Sequence, residues 1–354
     1  MYRKSVIHIK STLKVMALFA FTLLVFSCKK DSNLTTPKDK EVTAKDILGN
    51  PNYLAICYGG YRQNSREVQP TIAELKEDLK ILAALNIKVV RTYNVHLAHA
   101  SNVLKAISEL KKEHPKFEMY VMLGAWIDCK NAWTDLEPNH FEESERNEVE
   151  INEAVRLASN YSDIVKIIAV GNEAMVKWAT SYYVQPSVIL KWVNHLQQLK
   201  KENKLANDLW ITCSDDFASW GGADASYKTQ DLEELINAVD YVSMHTYPYH
   251  NSHYNPNFWN TPVEEQILSD TEKIDKAMHR SFEFAKMQYH TVKNYVRSIN
   301  PSKPIHIGET GWSSSSDGFY GSEGSKASDE YKQSLYYNHM REWTNKEGIS
   351  CFFF

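Results

Sequence analysis

A closed ring of eight parallel β-strands joined by crossover helices, the (β/α)8 or TIM barrel of the α/β class, is the fold this sequence predicts, and three observations carry it. Eight short apolar runs begin near Tyr53, Ile87, Phe117, Ile164, Leu209, Val239, Pro304 and Gly348. The intervals between them are 30 to 65 residues, each long enough for a helix that returns the chain to the same end of a sheet. The run Ile164 to Val170 is apolar except at Lys166, the pattern of a strand covered on both faces. Gly59-Gly60 stands alone after the first run, with no Gly-rich phosphate loop, so a doubly wound nucleotide-binding sheet gives way to a barrel.

The chain opens with an address. Residues 1–27 read as an export signal, with Arg3, Lys4, Lys10 and Lys14 as a basic flank and Met16 to Phe26 as an apolar run too short to span a bilayer. Val25-Phe26-Ser27-Cys28 resembles a bacterial lipobox, which implies cleavage before Cys28 and a lipid anchor on it, hence a membrane-anchored lipoprotein of the cell envelope. Residues 28–46 are polar and without an apolar face, as in a flexible tether, and residues 47–354 form the expected folded domain.

The helices follow in order. Thr71-Ile72-Ala73-Glu74 is a capping-box pattern, and Ile72, Leu75, Leu79 and Leu82 then recur on one helical face. Pro186 suits a first helical turn ahead of Ile189, Trp192, Leu196 and Leu199. Helices are also expected over Asp231 to Ala238, Val263 to Ile299 and Ser328 to Lys346, and the acidic stretch Glu137 to Glu150 reads as a solvated helix start. The sequence ends within the eighth run, at Cys351-Phe352-Phe353-Phe354, so the barrel is expected without its last helix.

Composition narrows the function. Forty Lys and Arg against forty-four Asp and Glu leave a net charge of −4, which speaks against nucleic acid as a partner. Cys57, Cys129, Cys213 and Cys351 share no CxxC spacing and no disulfide can be assigned among them. His96 with His99, and His250 with His253, have ligand-like spacings but no matching Cys or carboxylate, so no metal and no cofactor are expected. Trp126, Trp133, Trp178 and Trp220 follow strands three to five and are candidates for the walls of a sugar cleft, or for ordinary packing.

Two carboxylates carry the chemistry. Gly171-Asn172-Glu173 leaves the fourth strand and Glu309-Thr310-Gly311-Trp312 leaves the seventh, so a barrel would set Glu173 and Glu309 across one mouth. Glycoside hydrolysis needs such a pair, one carboxyl to protonate the departing oxygen and one to attack or to direct water.

Val170-Gly171-Asn172-Glu173 and Ile307-Gly308-Glu309-Thr310-Gly311-Trp312 resemble the acid and nucleophile motifs of glycoside hydrolase family 17, the β-1,3-glucanases. Cys57-Tyr58-Gly59, Val90-Arg91-Thr92-Tyr93, Val121-Met122-Leu123-Gly124 and Tyr247-Pro248-Tyr249 match in type and order, so the resemblance covers about residues 53–354. It implies a retaining glycosidase acting on laminarin-like β-glucan, with Glu173 as acid/base and Glu309 as nucleophile. It further implies that Asn172 binds the sugar 2-hydroxyl, that Tyr247 orients Glu309, that Tyr58, Arg91 and Tyr93 line the floor, and that Trp312 stacks on a glucose face. His245 departs from the family pattern, which commonly has Asn there. Two other readings stay open: a β-glucan transglycosylase using the same two Glu residues, and a glycan-binding surface lipoprotein without turnover. The oligomeric state is not legible.

Overall fold

The computed structural model describes residues 41–316 and 326–354. The expected signal segment 1–27, the expected anchor Cys28 and the expected tether up to residue 40 lie outside the described residues. Eight parallel strands close into one ring: β1 (Leu54–Cys57), β2 (Ile87–Arg91), β3 (Tyr120–Ala125), β4 (Val165–Asn172), β5 (Trp210–Asp216), β6 (Val242–His245), β7 (Ile305–Thr310) and β8 (Cys351–Phe353). All eight expected strands are present. The last, β8, pairs with β7 on one side and with β1 on the other, Ala55 opposite Phe352, so the ring closes within the given sequence.

The main helices between the strands are α1 (Ile72–Ala84), α2 (Ala98–Glu113), α3 (Arg146–Asn160), α4 (Pro186–Lys201), α5 (Gln230–Ala238), α6 (Asp270–Ile299) and α7 (Glu330–Glu347). The capping box at Thr71 and the Pro186 start are as the sequence indicates. The expected helix from Val263 is shorter: Ser269 and Glu272 form a second capping box that begins α6 at Asp270, leaving only a 3-10 turn at Val263–Glu265. Nor is the acidic stretch 137–150 simply a solvated helix start. Asn139–Glu143 pairs with Cys129–Lys130 in a two-stranded antiparallel ribbon, and Glu150 is buried, accepting the backbone N–H of Val95 at 2.6 Å and of Trp126 at 3.0 Å.

Residues 41–46 also depart from the tether expected over 28–46. Thr43 and Asp46 form a capping box that starts a one-turn helix, Ala44–Ile47, and both Ala44 and Ile47 are fully buried. They pack with Ala55, Val89, Met122, Ile167, Ala169, Tyr241 and Phe352, the side chains that fill the inside of the ring. The folded unit therefore starts with a plug in the barrel floor, written in a T-x-x-D pattern too short to show periodicity. A second, larger core lies outside the ring, between strands and helices.

His306 ties β7 to β8. Its Nδ1 accepts the Ser350 backbone N–H at 3.0 Å, which fixes the neutral ring with its proton on Nε2, and burial lowers its pKa to about 4. A histidine held neutral by the fold contributes stability above its unfolded pKa, near 6.5, that is lost as pH falls towards 4. The full effect is about 3 kcal/mol. The difference in urea midpoint between wild type and His306→Gln, whose side-chain oxygen can still accept from Ser350, is expected to shift in favour of Gln between pH 7 and pH 4.5; a constant difference would show that His306 does not titrate in that window.

Candidate active site

Backbone irregularities at two strand ends create the site. Along β7, Ile305 and Ile307 face the outer core while His306 meets Tyr241 inside, so simple alternation would send Glu309 outward. One extra residue corrects this. Met244 lies opposite Ile307 but His245 opposite Glu309, and on the other side Cys351 lies opposite Ile307 but Phe353 opposite Thr310. The bulge falls at Gly308 and turns the Glu309 carboxyl into the mouth. Only glycine fits there, because a Cβ would lie 2.1 Å from Ser243 Oγ and 2.4 Å from Ser214 Oγ. On β4 the register slips in the same way between Ala169 and Asn172, with Gly171 at φ 83° and Glu173 itself at φ 45°. A glutamate in the left-handed region costs energy, and the surroundings must hold it there.

The two carboxyls meet at His245. Its Nδ1 lies 3.0 Å from Glu173 Oε1 and 3.5 Å from Glu309 Oε2. One oxygen of each glutamate and a ring nitrogen of His245 all fall within 4.8 Å of one another. On the far side of the ring Nε2 lies 2.8 Å from Ser214 Oγ and 3.4 Å from Arg91 Nη1. Arg91 can only donate, so Nε2 is the acceptor and Nδ1 carries the proton offered to the carboxyls. His245 is fully buried. Sequence reasoning placed it only as a departure from a family pattern; the parity of β6, Tyr241-Ser243-His245 all inward, is the signal that could have found it.

Glu309 is surrounded by donors. Arg91 Nη1 donates to Oε1 at 2.7 Å and to the Gly308 carbonyl at 2.9 Å, while Tyr247 Oη donates to Oε2 at 3.0 Å. Burial by itself would raise the Glu309 pKa, but His245, Arg91 and the tyrosine hydrogen bond outweigh it and hold the carboxyl below its ordinary value. The Tyr247 hydroxyl is pushed well above its ordinary pKa by burial and by Glu309, so it remains a donor. Arg91 Nη2 also donates to Asn172 Oδ1 at 2.6 Å, which leaves the Asn172 amide N–H groups to serve another acceptor. The Arg91 guanidinium stacks over the Tyr93 ring at 4.9 Å. Arg91, Tyr93, Asn172, Glu173, Tyr247 and Glu309 thus converge as the sequence indicates.

Glu173 differs from its partner. It keeps 19% of its side chain in solvent against 8% for Glu309, and His245 is its short side-chain contact among the described residues. A carboxyl that must exchange a proton needs that freedom. The trio Glu173, His245 and Glu309 has a spacing that could also hold a cation, although the Arg91 guanidinium already supplies a positive charge against Glu309.

Two of the expected binding residues are placed otherwise. Trp312 is 3% exposed, donates its indole N–H to the Ala327 carbonyl at 2.8 Å, and is packed by Tyr249, Trp259 and Tyr336 with ring centroids 5.3 to 5.4 Å away. Its faces are covered by protein, so it supports the site and does not stack on sugar. Tyr58 borders a cavity of about 270 Å³ beside β1 and β2, but its hydroxyl donates to Asp78 on α1 at 2.8 Å, away from the carboxyls. Trp220 is also core, fully buried with its indole N–H on the Ser243 carbonyl. The four cysteines 57, 129, 213 and 351 are free thiols, and burial raises Cys57, at the mouth, to about 12.

A parallel barrel that brings two glutamates this close, one locked as an anion and the other left open to solvent, has the equipment of a glycoside hydrolase. Residues 55–354 match the family described as the BtgE/BtgC glycoside hydrolase domain, and the chain belongs to that family. It is similar to the crystal structure of an endo-laminarinase from Formosa Hel1_33_131, at 64% identity over 88% of this chain and 80% of that one, with a TM-score of 0.86. In fold alone it is similar to an active-site mutant of Rhizomucor miehei β-1,3-glucanosyltransferase in complex with laminaritriose, at 18% identity over 86% of each chain and a TM-score of 0.56. A Bacteroides uniformis β-glucuronidase shares the fold at 13% identity and a TM-score of 0.52, over 87% of this chain and 32% of that one. No curated protein matches the chain.

Proposed function

We propose that this protein hydrolyses β-1,3-glucan of the laminarin type by a retaining double displacement, as a member of glycoside hydrolase family 17. The observation that carries the reading is the approach of Glu173 and Glu309 to within 4.8 Å, a gap too narrow for the water that inversion places between them. The 64% identity with an endo-laminarinase supports the substrate.

In the first step a Glu309 oxygen attacks the anomeric carbon and the bond to the bridging oxygen breaks, while Glu173 gives that oxygen its proton. A glycosyl ester on Glu309 remains. Glu173, now a carboxylate, takes a proton from water, which attacks the same carbon and frees Glu309. Each glutamate is charged in a different half of the cycle, and the His245 Nδ1 proton stands within reach of both, at 3.0 and 3.5 Å. His245 is on this reading a positioning residue that follows the charge from one carboxyl to the other. Asn172, its oxygen pinned by Arg91, presents N–H groups to a sugar hydroxyl.

Glu173→Gln is expected to lower kcat on laminarin by about 10²- to 10⁴-fold, the usual weight of a general acid. On an aryl β-glucoside whose leaving group departs without a proton, the burst of released phenol should persist and only the second step should slow. Equal loss of the burst and of laminarin turnover would take Glu173 out of the acid role.

A further inference from the structure

The loops after β3 and β4 carry an aromatic surface for which the reaction described above has no use. Trp133 lies between the two strands of the ribbon, is 56% exposed, and has a φ of 64°. A bulky residue enters the left-handed region only at a cost, and burial does not repay it here, since more than half of the residue stays in water. Its orientation is nevertheless fixed. The indole N–H donates to Asp128 Oδ2 at 2.9 Å, and Asp128, 2% exposed, also binds Arg146 at 3.0 Å. The Trp133 ring stacks on Tyr182, with centroids 5.0 Å apart and planes at 21°, and Tyr182 leans on Trp126 at 5.6 Å.

That assembly is tied to the barrel and to Glu173. The Asn147 side chain accepts the Asp128 N–H at 3.1 Å and donates to the Asp128 carbonyl at 2.9 Å, and the Cys129 N–H donates to the Tyr182 carbonyl at 3.1 Å. Tyr182 rides on the loop that begins at Glu173 and folds back on it, the Val184 N–H donating to the Ala174 carbonyl at 2.7 Å. A strained, hydrogen-bonded, half-exposed indole held flat against a second ring is a built surface, and what it offers is a rigid apolar plane. The C–H face of a β-linked glucosyl unit has the matching shape and chemistry.

We propose that Trp133, backed by Tyr182, is a sugar-stacking platform for the part of the β-glucan chain on the leaving-group side of the cleaved bond. The side follows from the loop: Glu173 protonates the departing oxygen, and the platform continues from Glu173. The inference rests on the glucanase reading and names a binding position within it.

Trp133→Gly removes the ring while placing at φ 64° the residue that suits it, and this relief of backbone strain offsets the lost hydrogen bond to Asp128 and stack on Tyr182, so the ribbon should still fold. The full chain and this variant are compared on laminarin and on an aryl laminari-oligoside, whose small leaving group cannot reach the platform. Trp133→Gly should lose about tenfold in kcat/KM on laminarin and keep its rate on the aryl substrate, with Trp133→Phe recovering most of the loss. Equal losses on both substrates would make Trp133 a support of the catalytic centre, and no loss on laminarin would leave the platform empty in the reaction; either result overturns the proposal. Should the wild type cleave neither substrate, the glucanase reading falls, and calorimetric titration with laminarin still decides the platform: tenfold weaker binding by Trp133→Gly supports it, and equal affinity overturns it.

Discussion

Glu309→Gln is expected to reduce the release of reducing sugar from laminarin by at least about 10⁴-fold, the scale on which loss of a covalent nucleophile acts. The amide keeps the shape of the carboxyl, and its oxygen can still accept from Arg91, which sits 2.7 Å from Oε1. What is lost is the anion. Far-UV circular dichroism should be unchanged, so that the loss reads as chemistry and not as unfolding. Turnover within tenfold of wild type would remove Glu309 from the reaction and with it the double displacement.

Arg91→Met carries the next largest effect, in stability as well as rate. Arg91 is 1% exposed and joins β2 to Glu309, to the Gly308 carbonyl and to Asn172, so one side chain fixes the bulge, the nucleophile and the candidate sugar contact together. Removing one partner of a buried ion pair leaves the other uncompensated, at about 3–5 kcal/mol. The same change takes away one of the charges that hold Glu309 below its ordinary pKa, so the acidic limb of the pH–rate profile should move to higher pH. Urea unfolding and a pH series of kcat/KM check the two parts separately. An unmoved acidic limb would mean that Arg91 does not set the charge state of Glu309. Arg91→Lys should recover part of the rate, since a single ammonium cannot span Glu309 and Asn172 as the guanidinium fork does.

Most of the ring was legible because each strand contains a short run of apolar residues, and these runs are separated by helix-length intervals. The glutamates were legible because each stands where such a run stops. What escaped is set by the third dimension. Trp312 follows Glu309 by three residues and looks like a sugar platform in the sequence, yet Tyr249, Trp259 and Tyr336 arrive from distant segments to cover it. Tyr58 turns to Asp78, 20 residues on, a pairing that no local pattern announces. The register slips at Gly308 and Gly171 show in the sequence only as glycines, and without them alternation points Glu309 the wrong way. His245 gains its place from Ser214 and Arg91 on other strands, and Thr43 to Ile47 is too brief a helix to stand out from a polar lead-in.

The seam where β8 meets β1 also bears on how the chain acquires activity. Ala55 and Phe352 are partners although 297 positions separate them along the backbone, and bringing such remote segments together exacts a large entropic toll before any contact rewards it. Around the circle, β1 and β8 stand between β2, which holds Arg91, and β7, which holds Glu309. The cation that readies the nucleophile therefore depends on the most non-local strand pairing among the described residues, and a nascent polypeptide with seven strands already in place would still lack a competent centre.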